Sequence, residues 1–254
     1  MLRAKPGRNQ SRSLPDSYSS PHTGLQKALF RGLFAFILKP FMRSSYMEIS
    51  SQLDVIADNL VESGYVVVPD FLSTVEVHVM VEHLKNLQSQ TQFLQAGVGQ
   101  GAERVSNQTL RGDYIYWVDD QNHDAPYRAY FERLEALRSE LNRGLSLGLF
   151  EYEGHYAVYP AGSYYRKHLD QFQNDSHRTL TCILYLNEGW SRDDGGMLRL
   201  YLDETRPELF IDILPQAGTL VTFLSSRFWH EVLPAKRERM SLTGWYKTRS
   251  GLPF

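Results

Sequence analysis

The chain has 254 residues, 42% of them hydrophobic and 13% aromatic, which is typical of a folded globular protein and excludes a fibrous or wholly disordered one. Its formal net charge of -2 is unevenly spread: residues 1–45 carry eight Lys or Arg and one acid, and the rest carries 19 basic and 28 acidic residues. An acidic body argues against the phosphate-neutralising surface that nucleic-acid binding needs, so we expect no nucleic-acid partner.

Cys182 is the only cysteine, so no disulfide can form within the chain, which fits a reducing compartment. Its place in the apolar run 180–185 predicts a buried structural thiol. No apolar run reaches the roughly 18–20 residues that a membrane span requires. The nearest candidate, 28–42, is interrupted by two basic residues and a proline. We therefore expect a cytoplasmic protein without a transmembrane segment.

Residues 1–46 are predicted to form a basic extension that is disordered or partly helical. The first 25 residues are rich in Ser, Pro and Arg and show no periodicity. The stretch 28–42 could form an amphipathic helix that docks on the domain or lies on a membrane surface. Because the same composition describes an organellar transit peptide, targeting by this extension stays open.

Residues 47–150 are predicted to be a support region of helices and strands. Apolar residues at helical spacing indicate a helix over 50–62 that ends at Gly64, and the β-branched residues after it indicate a short strand. A capping box, Ser-x-x-Glu, then begins a helix over 73–87.

Two further features complete this region. The segment 95–110 is rich in Gly and Gln and is predicted to be a long mobile loop, a kind that often acts as a lid. Asp124-Ala-Pro126 then introduces a helix that reaches about Asn142 and places Leu134 and Leu137 on one face.

Residues 151–248 are predicted to form the catalytic domain, made of short strands separated by turn residues. The predicted strands are 153–159, 163–168, 179–186, 197–202, 209–213, 218–224, 229–233 and 240–247. Eight such strands favour a barrel or a double-sheet jelly roll, with the earlier helices packed outside it. The predicted fold class is therefore α+β, with a double-stranded β-helix core and flanking amino-terminal helices.

The sequence His168-Leu169-Asp170 is the strongest local signal of a metal site. Residues two apart on a strand point the same way, so imidazole and carboxylate can reach one ion. His230 adds a second imidazole if the sandwich brings its strand beside the first. Two His and one carboxylate with open positions form the facial triad of non-haem iron(II) oxygenases, although the same ligands can hold zinc.

The other six histidines offer no competing site. His78 and His83 are five residues apart and do not share a helix face, and the others lack ligand partners at a suitable spacing. No H-E-x-x-H sequence is present, so the usual hydrolytic zinc arrangement is not supported.

Arg239 is the candidate residue for binding an anionic co-substrate. It opens the last predicted strand, nine residues after His230. A guanidinium there could form a bidentate pair with the distal carboxylate of 2-oxoglutarate. A surface salt bridge is the alternative, because other charged residues crowd this part of the chain.

Several motifs resemble those of a known protein family. They are Tyr159-Pro160, Tyr165-Arg-Lys-His168-Leu-Asp170, the run 178–187, Gly195-Gly-Met-Leu-Arg199, His230-Glu-Val232 and the stretch from Arg239 to Trp245, together with 64–72 and 110–117. The chain resembles the prolyl 4-hydroxylase superfamily, especially the branch of the hypoxia-inducible-factor prolyl hydroxylases and their bacterial relatives. The resemblance covers about 50 to 248, and the extension 1–46 has no counterpart.

The resemblance implies a set of cofactors and site residues. Fe(II) would be held by His168, Asp170 and His230, with 2-oxoglutarate and O₂ as co-substrates and L-ascorbate in support. The co-substrate pocket would consist of Arg239 and Tyr185 at the distal carboxylate, Thr243 nearby, Tyr159 near the iron, and an apolar wall of Leu198, Val232 and Trp245. Asp170 favours hydroxylation, since halogenase relatives lack the carboxylate.

The resemblance also places Arg111, Asp113 and Arg178 at the substrate groove. A salt bridge between Asp113 and Arg178 is expected there. The segment 95–110 would be the mobile substrate lid, and its Gly- and Gln-rich composition differs from that of the family.

The hypothesis is a dioxygenase that hydroxylates prolyl residues of a protein or peptide, with release of succinate and CO₂. Two alternatives stay open: the same chemistry on a small molecule or another residue, and a catalytically silent β-sandwich that binds metal or a partner protein. Nucleobase repair is disfavoured, because Trp245 stands where repair relatives carry a second Arg. The sequence does not predict the target protein or the oligomeric state.

Overall fold

The computed structural model describes residues 51–97, 109–119, 126–171 and 177–249. The chain divides between Glu48 and Ile49, and every described residue belongs to the unit Ile49–Phe254. The predicted extension 1–46 and most of the predicted lid lie outside the described residues. The division of the remainder at residue 150 stays a prediction.

The amino-terminal part contains helices and short strands close to the predicted positions. The third helix runs three residues further than predicted, and the sequence pattern did not locate the strands β2 and β3. The elements are α1 (51–62), β1 (Tyr65–Val68), α2 (Thr74–Ser89), β2 (Leu94–Gln95), β3 (Tyr114–Trp117) and α3 (Arg128–Leu145).

Helix α2 begins with the predicted capping box. The Glu76 amide donates a hydrogen bond to Ser73 Oγ at 3.3 Å, and the Ser73 amide donates one to the Glu76 carboxylate at 2.7 Å. The same carboxylate forms an ion pair with Arg133 of α3 at 3.0 Å. The cap therefore also ties α2 to α3.

Replacing Ser73 with alanine should lower the free energy of unfolding by about 1 kcal/mol, because an amide of the first helical turn loses its acceptor. Urea denaturation measures the change. Ser89→Ala at the other end of α2 is the matched control, since its hydroxyl only donates to the Asn86 carbonyl. Equal losses in the two variants would contradict a specific role for the cap.

The carboxyl-terminal part contains eight strands at the eight predicted positions. The strands are β4 (Leu149–Tyr159), β5 (Tyr165–His168), β6 (Arg178–Tyr185), β7 (Leu198–Tyr201), β8 (Phe210–Ile213), β9 (Leu220–Leu224), β10 (His230–Val232) and β11 (Arg239–Thr248). Their order passes repeatedly between two sheets, with only the consecutive pair β7 and β8 in the same sheet, as in a jelly roll.

The strands form one larger and one smaller sheet, and all neighbouring strands are antiparallel. The major sheet has the order β1-β9-β6-β11-β4-β3-β2, and the minor sheet has the order β5-β10-β7-β8. One apolar cluster lies between the major sheet and the helices, and a second lies between the two sheets. The α+β jelly-roll prediction is confirmed.

Strand alternation decides which side chains of the major sheet reach the space between the sheets. On β11, Tyr246 belongs to the cluster on the helix side, and its hydroxyl donates to the Leu134 carbonyl at 2.6 Å. Arg239, Thr243 and Trp245 lie on the opposite face, because side chains alternate along a strand. The same alternation puts Thr181 and Tyr185 of β6 on that inner face.

Residues 109–117, which we name the corner segment, connect the two sheets. Its first part pairs with β5: the Arg166 amide donates to the Leu110 carbonyl at 2.9 Å, and the Gly112 amide donates to the Tyr164 carbonyl at 3.0 Å. Its second part is β3, which pairs with β4 in the major sheet. The corner segment therefore closes one side of the sandwich next to β5.

Candidate metal centre and co-substrate pocket

His168, Asp170 and His230 converge between the sheets, as the sequence predicts. His168 ends β5 and His230 begins β10, and the two residues are partners across the strands. Asp170 Oδ1 lies 3.6 Å from His168 Nε2, and Asp170 Oδ2 lies 3.5 Å from His230 Nε2. One ligand atom from each residue lies within 4.8 Å of the others, a spacing that suits one metal ion.

Backbone carbonyls orient both imidazoles. His168 Nδ1 lies 2.8 Å from the Arg166 carbonyl, and His230 Nδ1 lies 3.0 Å from the Phe228 carbonyl. A carbonyl can only accept, so each Nδ1 carries the proton and donates. Each Nε2 therefore keeps its lone pair for a metal, which is how ligand histidines are commonly fixed.

The charges of the triad also suit a divalent cation. Burial raises the pKa of Asp170, but the imidazoles of His230 and His168 outweigh burial, and the pKa lies well below its usual range. Burial, with repulsion from His168, lowers the pKa of His230 to about 4. At neutral pH the site therefore offers a carboxylate and a neutral imidazole, the forms that bind metal.

A hydroxyl pair supports Asp170 from the major sheet. Thr181 donates to Asp170 Oδ2 at 2.8 Å, and the Ser225 hydroxyl lies 2.9 Å from the Thr181 hydroxyl. Sequence analysis did not single out either residue. The alternation of β6 could have indicated Thr181, because it shares a strand face with Tyr185.

Arg239 places a buried guanidinium on the inner face of β11. It is 1% exposed, and its Nε donates to the Gly196 carbonyl at 2.8 Å. Within the described ranges, no Asp or Glu forms an ion pair with it. A buried cation is costly unless it is paired, so this position calls for an anionic ligand. The surface salt bridge considered from the sequence is wrong.

Two tyrosines flank the guanidinium. The Arg239 Cζ lies 5.1 Å from the ring centre of Tyr159 and 5.1 Å from that of Tyr185. The Tyr185 hydroxyl is buried and has no hydrogen-bond partner among the described residues. Burial raises the pKa of Tyr185 to about 12, although Arg239 partly offsets this effect. The Tyr185 hydroxyl therefore stays protonated and can donate to a ligand beside Arg239.

The remaining predicted pocket residues lie on the inner faces of the two sheets. Leu198 and Val232 belong, with Tyr159 and Tyr185, to the apolar cluster between the sheets. Trp245 is 6% exposed, and Thr243 is half-buried with its hydroxyl 3.3 Å from that of Ser241. The pocket thus combines one cation and a few hydroxyls with an apolar wall. Because the wall excludes water, an ion pair between the guanidinium and an anionic ligand is stronger there.

The expected salt bridge between Asp113 and Arg178 is not formed. Asp113 is fully buried and accepts two hydrogen bonds from Arg111, at 2.7 and 2.5 Å. Arg178 pairs with Glu153 at 2.8 Å, and its Cζ lies 3.5 Å from the ring centre of Trp245. The difference arises because Arg111 and Asp113 lie two residues apart in the corner segment, and Glu153 of β4 lies within reach of Arg178.

The fold and the triad together define a jelly-roll enzyme of the non-haem iron class, and the comparisons agree. The model of the 2OG-Fe(II) oxygenase superfamily matches residues 154–247. A prolyl-4-hydroxylase from Pseudomonas putida is 38% identical, with a TM-score of 0.68 over 78% of this chain and 100% of that chain. The chain belongs to the prolyl hydroxylase group of the 2-oxoglutarate- and iron(II)-dependent oxygenase superfamily.

Two other relatives are similar over the same region. A Trichoplax adhaerens prolyl hydroxylase, solved with a peptide fragment of the hypoxia inducible factor oxygen degradation domain, is 28% identical with a TM-score of 0.70, over 80% of this chain and 92% of that chain. The hypoxia-inducible factor prolyl hydroxylase of Caenorhabditis elegans is 29% identical over 78% of this chain. The chain spans 29% of the length of that second relative.

The family and the dependence on Fe(II), 2-oxoglutarate and O₂ predicted from the sequence are thereby confirmed. None of the helices in the described ranges is both long and apolar enough to cross a membrane.

Proposed function

We propose that this protein hydroxylates prolyl residues of a protein or peptide, consuming 2-oxoglutarate and O₂ and releasing succinate and CO₂. The observation that carries this proposal is a two-His, one-carboxylate triad between the two sheets, together with a buried guanidinium on the inner face of β11 that has no carboxylate partner among the described residues. The first group suits a metal, and the second suits the far end of a dicarboxylate. Binding of 2-oxoglutarate would use both the metal site and the guanidinium.

In this proposal His168 and His230 bind Fe(II) through Nε2, and Asp170 binds it through a carboxylate oxygen. The donor set fits, because both Nδ1 atoms already donate to carbonyls and Asp170 is ionised. Iron bound there supplies the activation of O₂ together with 2-oxoglutarate. The presence of Asp170 favours hydroxylation, because its carboxylate would take the place that halogenase relatives leave open for a halide.

Arg239 and Tyr185 are proposed to bind the distal carboxylate of 2-oxoglutarate. The guanidinium supplies charge and a forked donor, and the Tyr185 hydroxyl adds a third hydrogen bond. Thr243 would lie beside this carboxylate, and Tyr159 would contact the co-substrate nearer the iron. Leu198, Val232 and Trp245 would exclude water from the reacting end.

The proposed substrate follows from the relatives, since the Trichoplax protein was solved with a peptide fragment. The peptide would lie along a groove bordered by Arg178 and by the pair of Arg111 and Asp113. The single buried thiol of Cys182 fits our proposal of a cytoplasmic location. L-Ascorbate is the proposed supporting reductant.

The test is to incubate the iron-loaded protein, 2-oxoglutarate and ascorbate with a library of proline-containing peptides. We expect some peptides to stimulate succinate release and to gain one oxygen atom on proline, as measured by mass spectrometry. The His168→Ala variant is the control for non-enzymatic oxidation. Succinate release that no peptide stimulates would favour a small-molecule substrate, and no release at all would favour a silent binding module.

A further inference from the structure

We propose that Arg111, acting through the ring of Tyr165, is a positioning residue for the metal ligand His168. The inference rests on the proposed metal role of His168 and extends it to residues outside the ligand set. It also assigns the corner segment a role in metal binding that its sequence does not indicate.

The two ligand histidines are held in different ways. The side chain of His230 is 4% exposed, and its ring packs against that of Phe223 with centres 4.9 Å apart. The side chain of His168 is 18% exposed and lies at the end of β5. Burial therefore fixes His230, whereas His168 needs another support to keep one ring orientation.

Tyr165 provides that support. Its ring is stacked on the His168 ring, with centres 3.6 Å apart and planes inclined by 18°. The stack fixes the plane of the imidazole, and the hydrogen bond from Nδ1 to the Arg166 carbonyl fixes its rotation within that plane. The direction of the Nε2 lone pair is then set before any metal binds.

Arg111 in turn holds Tyr165. Its Cζ lies 4.3 Å from the centre of the Tyr165 ring, within range of a cation–π interaction. The guanidinium is itself fixed by its bidentate pair with Asp113, a carboxylate with no exposed surface. A forked guanidinium in a bidentate pair has little freedom, so it offers Tyr165 a rigid surface.

The backbone keeps these groups aligned. Arg111 and Tyr165 are partners in a β-bridge between the corner segment and β5. The Asp113 carbonyl accepts a hydrogen bond from the Ala96 amide at 2.9 Å. A Cβ at Gly112 would lie 3.1 Å from Ser163 Oγ, so the corner segment is packed closely against the chain that leads into β5.

The experiment measures the dissociation constant of Mn(II) with the full-length protein. Tyr165→Leu removes the ring and should weaken Mn(II) binding about tenfold, the lower end of the range for outer-shell partners of metal ligands. Tyr165→Phe keeps the ring and should stay within about twofold of wild type.

The second arm removes the Arg111 contact without leaving a lone buried charge. The double variant Arg111→Met/Asp113→Asn should weaken Mn(II) binding several-fold. It should have no further effect in a Tyr165→Leu background, because its effect reaches His168 through the ring. Arg206→Met/Asp203→Asn removes an exposed Arg–Asp pair of 2.7 Å and should leave Mn(II) binding unchanged.

A spectroscopic readout separates positioning from general stability. The absorption bands of bound Co(II) should change in Tyr165→Leu and not in Tyr165→Phe, since they report ligand geometry. Variants that lower only the melting temperature of the metal-free protein, with Mn(II) affinity and the Co(II) spectrum as in wild type, would overturn the inference. Wild-type protein that binds no Mn(II) would instead refute the proposed metal site, and the inference with it.

Discussion

Replacing His168 with alanine should abolish 2-oxoglutarate turnover. The variant loses one of two imidazoles, and the remaining pair, Asp170 and His230, is too small a donor set to hold a divalent ion firmly. We expect succinate release to fall by more than about a hundredfold, beyond the loss that follows from removing an outer-shell partner. Mn(II) binding should be lost in parallel, which places the defect at the metal.

His78→Ala is the matched control, because this histidine is exposed and lies 3.5 Å from Glu188 on the surface. It should retain turnover and Mn(II) binding. Turnover retained by the His168 variant would refute the metal assignment. Turnover lost in both variants would point to a general defect in folding.

Replacing Arg239 with methionine should weaken 2-oxoglutarate binding while leaving the protein as stable as wild type, or more stable. Two charge-assisted hydrogen bonds to the co-substrate would be lost, which corresponds to about 3 kcal/mol, or more than a hundredfold in affinity. Stability should not fall, because the buried charge has no carboxylate partner in the described ranges and methionine fills a similar volume. Calorimetry of 2-oxoglutarate binding to the Mn(II)-loaded protein and thermal unfolding measure the two effects.

Arg237→Met is the control two residues earlier, where an exposed guanidinium pairs with Asp194 at 3.1 Å. It should leave 2-oxoglutarate affinity unchanged. An Arg239 variant with wild-type affinity would exclude this residue from the co-substrate site. A large loss of stability would mean that the hydrogen bond from Arg239 to the Gly196 carbonyl, or another contact, is structurally important.

The sequence predicted the strands and the triad because both depend on short-range patterns. Short runs of alternating or β-branched residues, separated by turn residues, located all eight strands of the catalytic half. The spacing of His168 and Asp170 follows from the geometry of one strand. The partnership of His230 with His168 required the additional assumption that two distant strands are neighbours. That assumption is correct, and the register joins the two residues directly.

The side-chain partners were harder to predict, because they depend on distances across strands. The sequence predicted Asp113 as the partner of Arg178, and only the fold shows that Glu153 on β4 takes that place. The support of Asp170 by Thr181 likewise depends on packing between the sheets. The stacking of Tyr165 on His168 joins two residues of one strand that simple alternation would place on opposite faces. Thr and Tyr are common in strands for other reasons, so neither residue type signals a role.

The pairing of His168 with His230 also affects the order in which the molecule is assembled. The two residues come from strands at opposite ends of the catalytic half, so the ion's binding site does not exist until that long-range pairing has formed. Pairings between distant strands are slow to form, because loop closure costs entropy before any contact is gained. The metal therefore binds after the two sheets have packed together. It should then slow unfolding more than it speeds folding.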